Sequence, residues 1–322
     1  MNSDYPRDLV GYAGSPPVAR WPGGASIAVQ FVLNYEEGSE RTVLDGDATS
    51  ETFLSEMVGA APFADRHMSM ESLYEYGSRA GFWRLLRIFE RAGLPLTVFA
   101  TATALARNPA AAAAITAAGH EVAGHGLRWV SYQNVDEATE AAHLAEAVEI
   151  LTRVTGSPPL GWYTGRDSPN TRRLVVLHGG FLYDADSYAD DLPYWTSVAG
   201  HRHLVVPYAM DTNDMRLAIP GGFATGRQWD EYCRDAFDLL WREGEGGSPK
   251  MISIGLHGRI MGRPGRAAAL ERLIEHIVRH DRVWVCRRID IARHWIDTQG
   301  DPPTPASDGP GASRPGPQEM KG

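Results

Sequence analysis

Short apolar runs alternate with amphipathic segments along most of the chain. The run at 26–34 predicts a strand, the segment at 81–93 carries apolar residues at helical spacing and ends at Gly93, and the run at 94–101 predicts the next strand. The same alternation predicts strands at 120–126, 160–164, 180–186, 203–208, 250–257 and 282–288, with helices at 108–118, 136–155, 228–243 and 266–279. Strands alternating with helices of this length predict an α/β fold, with a parallel sheet or barrel inside a layer of helices.

The two ends of the chain differ in composition from the rest. Residues 1–24 are rich in Gly and Pro and predict an extended lead-in, followed by one catalytic domain over 25–296. From Asp297 to the end at 322, the chain is rich in Pro, Gly and Ser and almost lacks apolar residues. Such a segment buries too little surface to offset the entropy of ordering, so we expect a disordered tail.

Composition excludes several classes of function. The 322 residues include 31 Lys and Arg against 40 Asp and Glu, and the net charge of -9 comes without a basic stripe for nucleic acid. The chain contains neither a signal-peptide pattern nor an apolar run of about 18 residues, so we expect a cytoplasmic protein that binds no membrane. Cys233 and Cys286 lack metal-ligand or disulfide spacing and are expected to be packed thiols.

Polar, titratable residues follow many of the predicted strands. They occur at 34–38, 125–129, 163–167, 211–214 and 257–259. A solvated turn explains any one of these strand ends taken alone. Because the carboxyl ends of parallel strands meet over one face, the whole set predicts a shared site.

These strand ends resemble the motifs of the polysaccharide deacetylase superfamily. Its first motif has two adjacent acidic residues and a Gly after a strand, and residues 35–38, YEEG, stand in that place. Its second motif is His-x-x-x-His, of which His125 is present while position 129 is Trp. Its last motif is an apolar strand ending in a catalytic His, matched by His257. The resemblance implies a distorted, incomplete (β/α) barrel.

Within the superfamily, the chain is most similar to the bacterial allantoinases, also described as urate-catabolism proteins. The similar stretches include FVLNYEEGSE, MSMESLYEYGSRAG, GWYTGRDSPNTRRL and IGLHGRIMGRPGR, and the likeness runs from about Tyr5 to Trp295. This resemblance implies hydrolysis of the hydantoin ring of allantoin to allantoate, with no metal or other cofactor, by a homotetramer. A related hydantoin or ureide is the alternative small-molecule substrate.

A hydrolytic zinc needs three protein ligands and an open position for water. In the deacetylase pattern these ligands would be Glu37, His125 and residue 129, but Trp129 has no lone pair to offer. The residues that would hold a metal, if one is bound, are therefore Glu37 and His125. Two ligands do not bind a metal tightly, so we expect a metal-independent site.

His120 and His125 are five positions apart, and on a strand an odd offset places the two side chains on opposite faces. We therefore expect His120 to be a turn or core histidine. The sequence leaves open a third metal ligand from His257 or Asp211, each of which follows or ends another predicted strand.

The expected mechanism uses Glu36, His125 and His257 as catalytic residues. Glu36 is the candidate base, because two adjacent carboxylates repel each other and at least one should have a raised pKa. His257 is the candidate acid or second base, and His125 is expected to hold the attacking water or the oxyanion. The alternatives are an exposed acidic turn for Glu36 and Glu37 and a satisfied core histidine for His257.

A small, polar substrate needs fixed polar partners, and aromatic rings can exclude water from it. For the aromatic residues, core or rim packing is the alternative role. The residues predicted to bind substrate are Glu37, Trp129, Trp162, Tyr163, Arg166, Asp211, Asn213 and Arg259. The segment 71–81, ESLYEYGSRAG, is expected to be a loop that forms a site wall or a subunit interface.

Two other functions compete with this one. A metal-dependent N-deacetylase of an amino-sugar polymer, of the chitooligosaccharide or peptidoglycan type, would need a second His ligand and usually an export signal. A catalytically inactive barrel that serves as a scaffold would have no need of Glu36, His125 and His257 together.

Overall fold

A nine-stranded sheet is the framework of the fold in the computed structural model, which describes residues 7–300. The strands are β1 (Ile27–Tyr35), β2 (Thr97–Ala100), β3 (Glu121–Gly124), β4 (Gly161–Trp162), β5 (Tyr183–Asp184), β6 (Tyr194–Val198), β7 (His201–Val205), β8 (Lys250–His257) and β9 (Val283–Val285). Their order is β6-β7-β5-β4-β3-β2-β1-β8, and β9 also pairs with β1. Only β6 and β7 among these pairs are antiparallel.

Helices connect most of the parallel strands. They are α1 (Met68–Tyr76), α2 (Phe82–Ala92), α3 (Ala102–Arg107), α4 (Pro109–Ala117), α5 (Glu137–Thr155), α6 (Thr171–His178), α7 (Gly226–Glu245), α8 (Pro264–Val278) and α9 (Arg288–Gln299). The architecture is the distorted, incomplete (β/α) barrel that the sequence predicted, and that prediction is confirmed.

The local sequence explains the central elements. Every position of β1 is buried, because a parallel strand is covered on both faces, and the run is apolar except for Gln30, Asn34 and the hydroxyl of Tyr35. The apolar residues of α2 face the core, and the helix ends where Gly93 adopts the left-handed conformation at φ 65°. At the start of α5, the Asp136 side chain accepts a hydrogen bond from the backbone N of Thr139.

Alternate residues of the inner strands pack on opposite sides of the sheet. Ile27 and Val29 join the core beneath the helices, whereas Ala28 and Val32 join a second core inside the barrel. The inner core also holds Arg288, which is fully buried and donates to Gln30 Oε1 at 2.6 Å. The barrel interior is therefore filled by side chains below the level of the strand ends.

Some segments differ from the sequence prediction. Residues 68–81 are not a loop, since α1 continues into a π-helix at Gly77–Gly81 and then into α2. Helix α9 extends to Gln299, so the first residues of the predicted tail are helical, and 301–322 lie outside the described residues. Within residues 7–300, no helix has the length and apolar character needed to cross a membrane.

Candidate active site

Four titratable side chains meet at the carboxyl ends of three parallel strands of the sheet. Glu36 and Glu37 directly follow β1, His125 directly follows β3, and His257 is the last residue of β8. All four are buried, with at most 3% of each residue exposed. The shared edge expected from the parallel sheet therefore brings these residues into one cluster.

Glu36 is at the centre of this cluster. Its Oε1 lies 3.1 Å from His125 Nε2 and 3.4 Å from His257 Nε2, while its Oε2 accepts a hydrogen bond from Arg259 Nη2 at 2.6 Å. One carboxylate therefore contacts two imidazoles and a guanidinium, which is an arrangement suited to moving protons between fixed partners.

The charge state of Glu36 differs from the sequence expectation. Burial by itself raises the pKa of Glu36, but the charges of Arg259 and His257 and the hydrogen bond from His125 hold that pKa well below its usual value. The raised pKa expected of at least one of the two carboxylates is not found at Glu36, because the buried cation outweighs the repulsion between adjacent carboxylates there. Glu36 is consequently ionised at neutral pH.

His257 is held on both sides by acidic groups. Its Nδ1 lies 2.6 Å from Asp214 Oδ1, and its backbone N donates to Asp214 Oδ2 at 2.7 Å. Burial lowers the pKa of His257, but Glu36 and Asp214 together raise it to about 9. At neutral pH the ring is therefore an imidazolium that donates from Nδ1 to Asp214 and faces Glu36 with Nε2.

The sequence did not single out Asp214, although it lies in the polar run 211–214. Of that run, Asp211 and Asn213 were the predicted substrate ligands. Asp211 is exposed and accepts a hydrogen bond from Tyr232 Oη at 3.0 Å, away from the cluster. Asn213 is buried and donates to Tyr208 Oη at 3.2 Å. Only the packing of this turn against β8 shows that Asp214 is the residue at the cluster.

His125 is oriented by the strand beside it. Its Nδ1 lies 2.7 Å from the carbonyl oxygen of Tyr163, and its ring stacks on the Tyr163 ring with centroids 5.1 Å apart and planes at 11°. Because a carbonyl only accepts hydrogen bonds, Nδ1 carries a proton and Nε2 is the nitrogen presented to Glu36.

Arg259 supplies the positive charge between the two glutamates. Its backbone N and Nη1 donate to Glu37 Oε1 at 3.0 and 3.3 Å, and its Nη2 donates to Glu36. Its Nε donates to the Leu54 carbonyl at 2.8 Å, and its guanidinium lies over the Tyr74 ring. Arg259 was predicted to bind substrate, but the structure places each of its nitrogens on a protein acceptor.

These residues do not fit the metal that the deacetylase pattern implies. The ligand position 129 is a Trp, and the Arg259 guanidinium already lies between the carboxylates that would face a cation. Among residues 7–300, no three His, Cys, Asp or Glu side chains at this cluster bring their ligand atoms within 4.8 Å of one another.

Trp129 joins the site through cation–π contacts. Its ring lies 5.0 Å from the guanidinium carbon of Arg259 and 4.5 Å from that of Arg166, and it stacks on Phe53. Arg166 also donates to the Trp129 carbonyl at 3.0 Å and keeps 21% of its side chain exposed. Arg166 is therefore the more accessible of the two predicted arginines.

Trp162 and His120 also lie away from the cluster. Trp162 packs its ring against Phe181 in the core and donates from Nε1 to Thr164 Oγ1 at 2.8 Å. His120, as expected, is not at the site, since its Nδ1 accepts a hydrogen bond from the backbone N of Leu96 at 3.2 Å.

The π-helix between α1 and α2 forms one wall of the site. A Cβ atom on Gly77 would overlap with the Glu37 carboxylate, so only glycine permits this close approach. Beside this wall, a cavity of about 220 Å³ borders Glu37. Its other lining residues include Glu40, whose pKa burial raises to about 7.

Comparisons with known proteins agree on the family. Residues 67–176 match the family model described as Polysaccharide deacetylase. A Schizosaccharomyces pombe protein described as "Putative polysaccharide deacetylase" is 44% identical over 309 residues, which cover 90% of this chain and 96% of that protein.

Two solved structures are more similar still. A probable polysaccharide deacetylase from Pseudomonas aeruginosa PAO1 is 60% identical, with a TM-score of 0.89, and the match covers 91% of this chain and 99% of that chain. Puue Allantoinase is 59% identical, with a TM-score of 0.90, and the match covers 92% and 98% of the two chains. A chain that shares both the fold and this much sequence over nearly its full length belongs to the polysaccharide deacetylase family.

Proposed function

We propose that this member of the family hydrolyses the hydantoin ring of allantoin to give allantoate. The observation that carries the proposal is the Glu36 carboxylate, which contacts two histidines while Arg259 provides the cation beside it. Support also comes from the 59% identity to Puue Allantoinase over 92% of this chain. The proposed reaction uses no metal.

Ring opening needs a base for water, stabilisation of the tetrahedral intermediate and an acid for the leaving nitrogen. Glu36 stays ionised at neutral pH and accepts a proton as the water oxygen adds to the ring carbonyl carbon. His125 Nε2, fixed by its Nδ1 contact with Tyr163, positions that water against Glu36.

His257 is the acid in the second half of the reaction. The carbon–nitrogen bond breaks as the imidazolium gives its Nε2 proton to the departing ring nitrogen. The proton taken up by Glu36 then passes to His257 across their 3.4 Å contact, which restores both groups. Water is consumed, the former ring carbonyl becomes a carboxylic acid, and that acid releases one proton to solvent to give the carboxylate, so Glu36 and His257 regain their starting states.

Recognition of the ureide is assigned to the polar groups at the edge of the cluster. Arg166 is partly exposed beside Trp129, and its fork of donors suits carbonyl oxygens of a planar substrate.

The experiment is an allantoin hydrolysis assay with the purified full-length protein, its Glu36→Gln and His257→Asn variants, and Asp211→Asn as the surface control. We expect the first two variants to lose at least about 100-fold in kcat while keeping the native circular dichroism spectrum, and the control to retain full activity. Full activity in Glu36→Gln would overturn the assigned base.

Two further experiments test which substrate is hydrolysed and whether the reaction needs a metal. Activity on acetylated amino-sugar oligomers with none on allantoin would show that the enzyme is an N-deacetylase. Loss of allantoin hydrolysis after chelation, with recovery on adding zinc, would contradict the metal-free mechanism. We expect the chelated protein to hydrolyse allantoin at the same rate as untreated protein.

A further inference from the structure

A second group of polar side chains lies between α7 and α8, apart from the candidate active site. Asp238 is on α7, His276 is in the last turn of α8, and His280 follows the end of that helix. One ligand atom from each residue lies within 4.8 Å of the other two. The side chains are 32%, 22% and 24% exposed, so a small ion can reach them from solvent.

The contacts within this group leave one nitrogen without a hydrogen-bond partner. Asp238 Oδ1 lies 2.6 Å from His276 Nε2, but it is 3.8 Å from His280 Nε2, which is too long for a hydrogen bond. His280 Nδ1 lies 2.9 Å from the carbonyl oxygen of His276. Because that carbonyl only accepts, Nδ1 is the donor in this contact, and Nε2 is the ring nitrogen that faces Asp238.

The three ligand atoms, each within 4.8 Å of the other two, leave a place between them that suits a bound cation. We propose that Asp238, His276 and His280 bind one divalent transition-metal ion, with zinc as the best match. Two imidazoles and one carboxylate form a common zinc ligand set, and water completes the coordination. The hydrogen bond from His280 Nδ1 to a backbone carbonyl is the contact that orients histidine ligands in metal sites.

The surroundings hold the ligands in place. The ring of His280 meets Phe237 and Trp241 edge to face, with centroids 5.0 and 5.1 Å apart, and the ring of His276 meets Phe237 at 5.8 Å. These aromatic neighbours restrict both imidazoles before any ion arrives, so less ordering is required on binding.

The position of the site indicates a structural role. Helix α8 begins at Pro264, shortly after His257, and its 15 residues extend for about 22 Å at 1.5 Å per residue. His276 and His280 lie at its far end, so an ion there joins α7 to α8 without contacting Glu36 or His257. Zinc binding and ring hydrolysis are therefore separable.

The test is a titration of chelator-treated full-length protein with Zn²⁺ by calorimetry, together with Tm measured with and without zinc. We expect one zinc per chain and a higher Tm in its presence, since an ion that binds only the native state stabilises it. His280→Ala should weaken binding at least about tenfold and abolish the Tm increase. His201→Ala removes an exposed histidine on β7 and should change neither.

A second variant tests whether a loss of zinc binding is caused by misfolding. Asp238→Asn keeps a hydrogen-bonding group against His276 but removes the charged ligand, and it should also lose zinc binding while retaining the native circular dichroism spectrum. The proposal is overturned if the native protein binds no zinc, or if His280→Ala and Asp238→Asn bind it as tightly as the parent. Zinc retained in His280→Ala and lost in His125→Ala would place the ion at the active site and would also overturn it.

Discussion

Asp214 accepts hydrogen bonds from both the ring Nδ1 and the backbone N of His257, at 2.6 and 2.7 Å. This paired contact fixes the ring relative to the end of β8 and stabilises its protonated form. Asp214 is a positioning residue in the proposed reaction, because it acts on the substrate only through His257.

The first prediction concerns the alkaline side of the pH–rate profile. The pKa of His257 is raised to about 9, so its proton-donating form is present below that pH and is lost as the pH rises through it. Asp214→Asn removes one of the charges that raise the pKa, so the fall in kcat/KM should move toward neutral pH by about one pH unit or more. The measurement is kcat/KM for allantoin against pH for both proteins.

Asp211→Asn is the matched control for that comparison, because it neutralises an exposed acid of the same segment. Its pH profile should coincide with that of the parent. If kcat/KM falls at the same alkaline pH in Asp214→Asn as in the parent, another group supplies the proton.

A second prediction concerns the buried charge of Arg259. Arg259→Gln leaves Glu36 and Glu37 buried without their cation, which should lower the free energy of unfolding by about 3–5 kcal/mol at neutral pH. The loss should be smaller at acidic pH, since the carboxylate pKa rises without the guanidinium and protonation then removes the uncompensated charge. Urea unfolding at acidic and neutral pH measures both values.

The control for Arg259 is Arg166→Gln, which removes a partly exposed guanidinium that also lies over Trp129. We expect a loss of about 1 kcal/mol that depends less on pH than that of Arg259→Gln, because the nearest carboxylate, Glu51, is 3.9 Å from Arg166. Equal losses in the two variants would mean that packing on Trp129, rather than charge balance, accounts for the effect of Arg259.

A third prediction concerns the Trp at position 129. Trp129→His restores the His-x-x-x-His spacing with His125, but the Arg259 guanidinium still lies beside the carboxylates. We therefore expect no additional zinc in the variant relative to the parent, and a lower Tm because the stacking on Phe53 is lost. Metal analysis after dialysis measures this, and one extra zinc per chain would contradict it.

The fourth prediction separates the two histidines of residues 119–130. His120 accepts a hydrogen bond from the backbone N of Leu96, so His120→Ala should cost about 1 kcal/mol of stability and leave kcat unchanged. His125→Ala should abolish hydrolysis, because Nε2 faces Glu36. A fall in kcat for His120→Ala without loss of stability would show that this residue acts in the reaction.

The sequence predicted the strands whose pattern was unambiguous. Mostly apolar runs such as β1 and β8 could be recognised because both of their faces are covered. Strand β6 was missed because most of its positions are partly exposed and it pairs at the edge of the sheet. Helix α1 was missed because its Glu, Ser and Tyr residues show only a weak apolar periodicity.

The site was predicted in part, for a related physical reason. Parallel strand ends must converge, so the sequence could place Glu36, His125 and His257 together. The direction of the Arg259 side chain and the packing of Asp214 against β8 depend on tertiary contacts that no local pattern encodes. The lowered pKa of Glu36 could not be foreseen for this reason, since the deciding charge comes from a residue 223 positions away.

The cation beside the two glutamates is part of the polypeptide. A metal occupies its site according to its concentration and affinity, whereas the guanidinium of Arg259 is present at full occupancy in every folded chain. The charge balance of the cluster is therefore inherited with the gene sequence and established by folding alone. The charge balance therefore depends on the residue encoded at position 259 and not on the supply of metal in the surroundings.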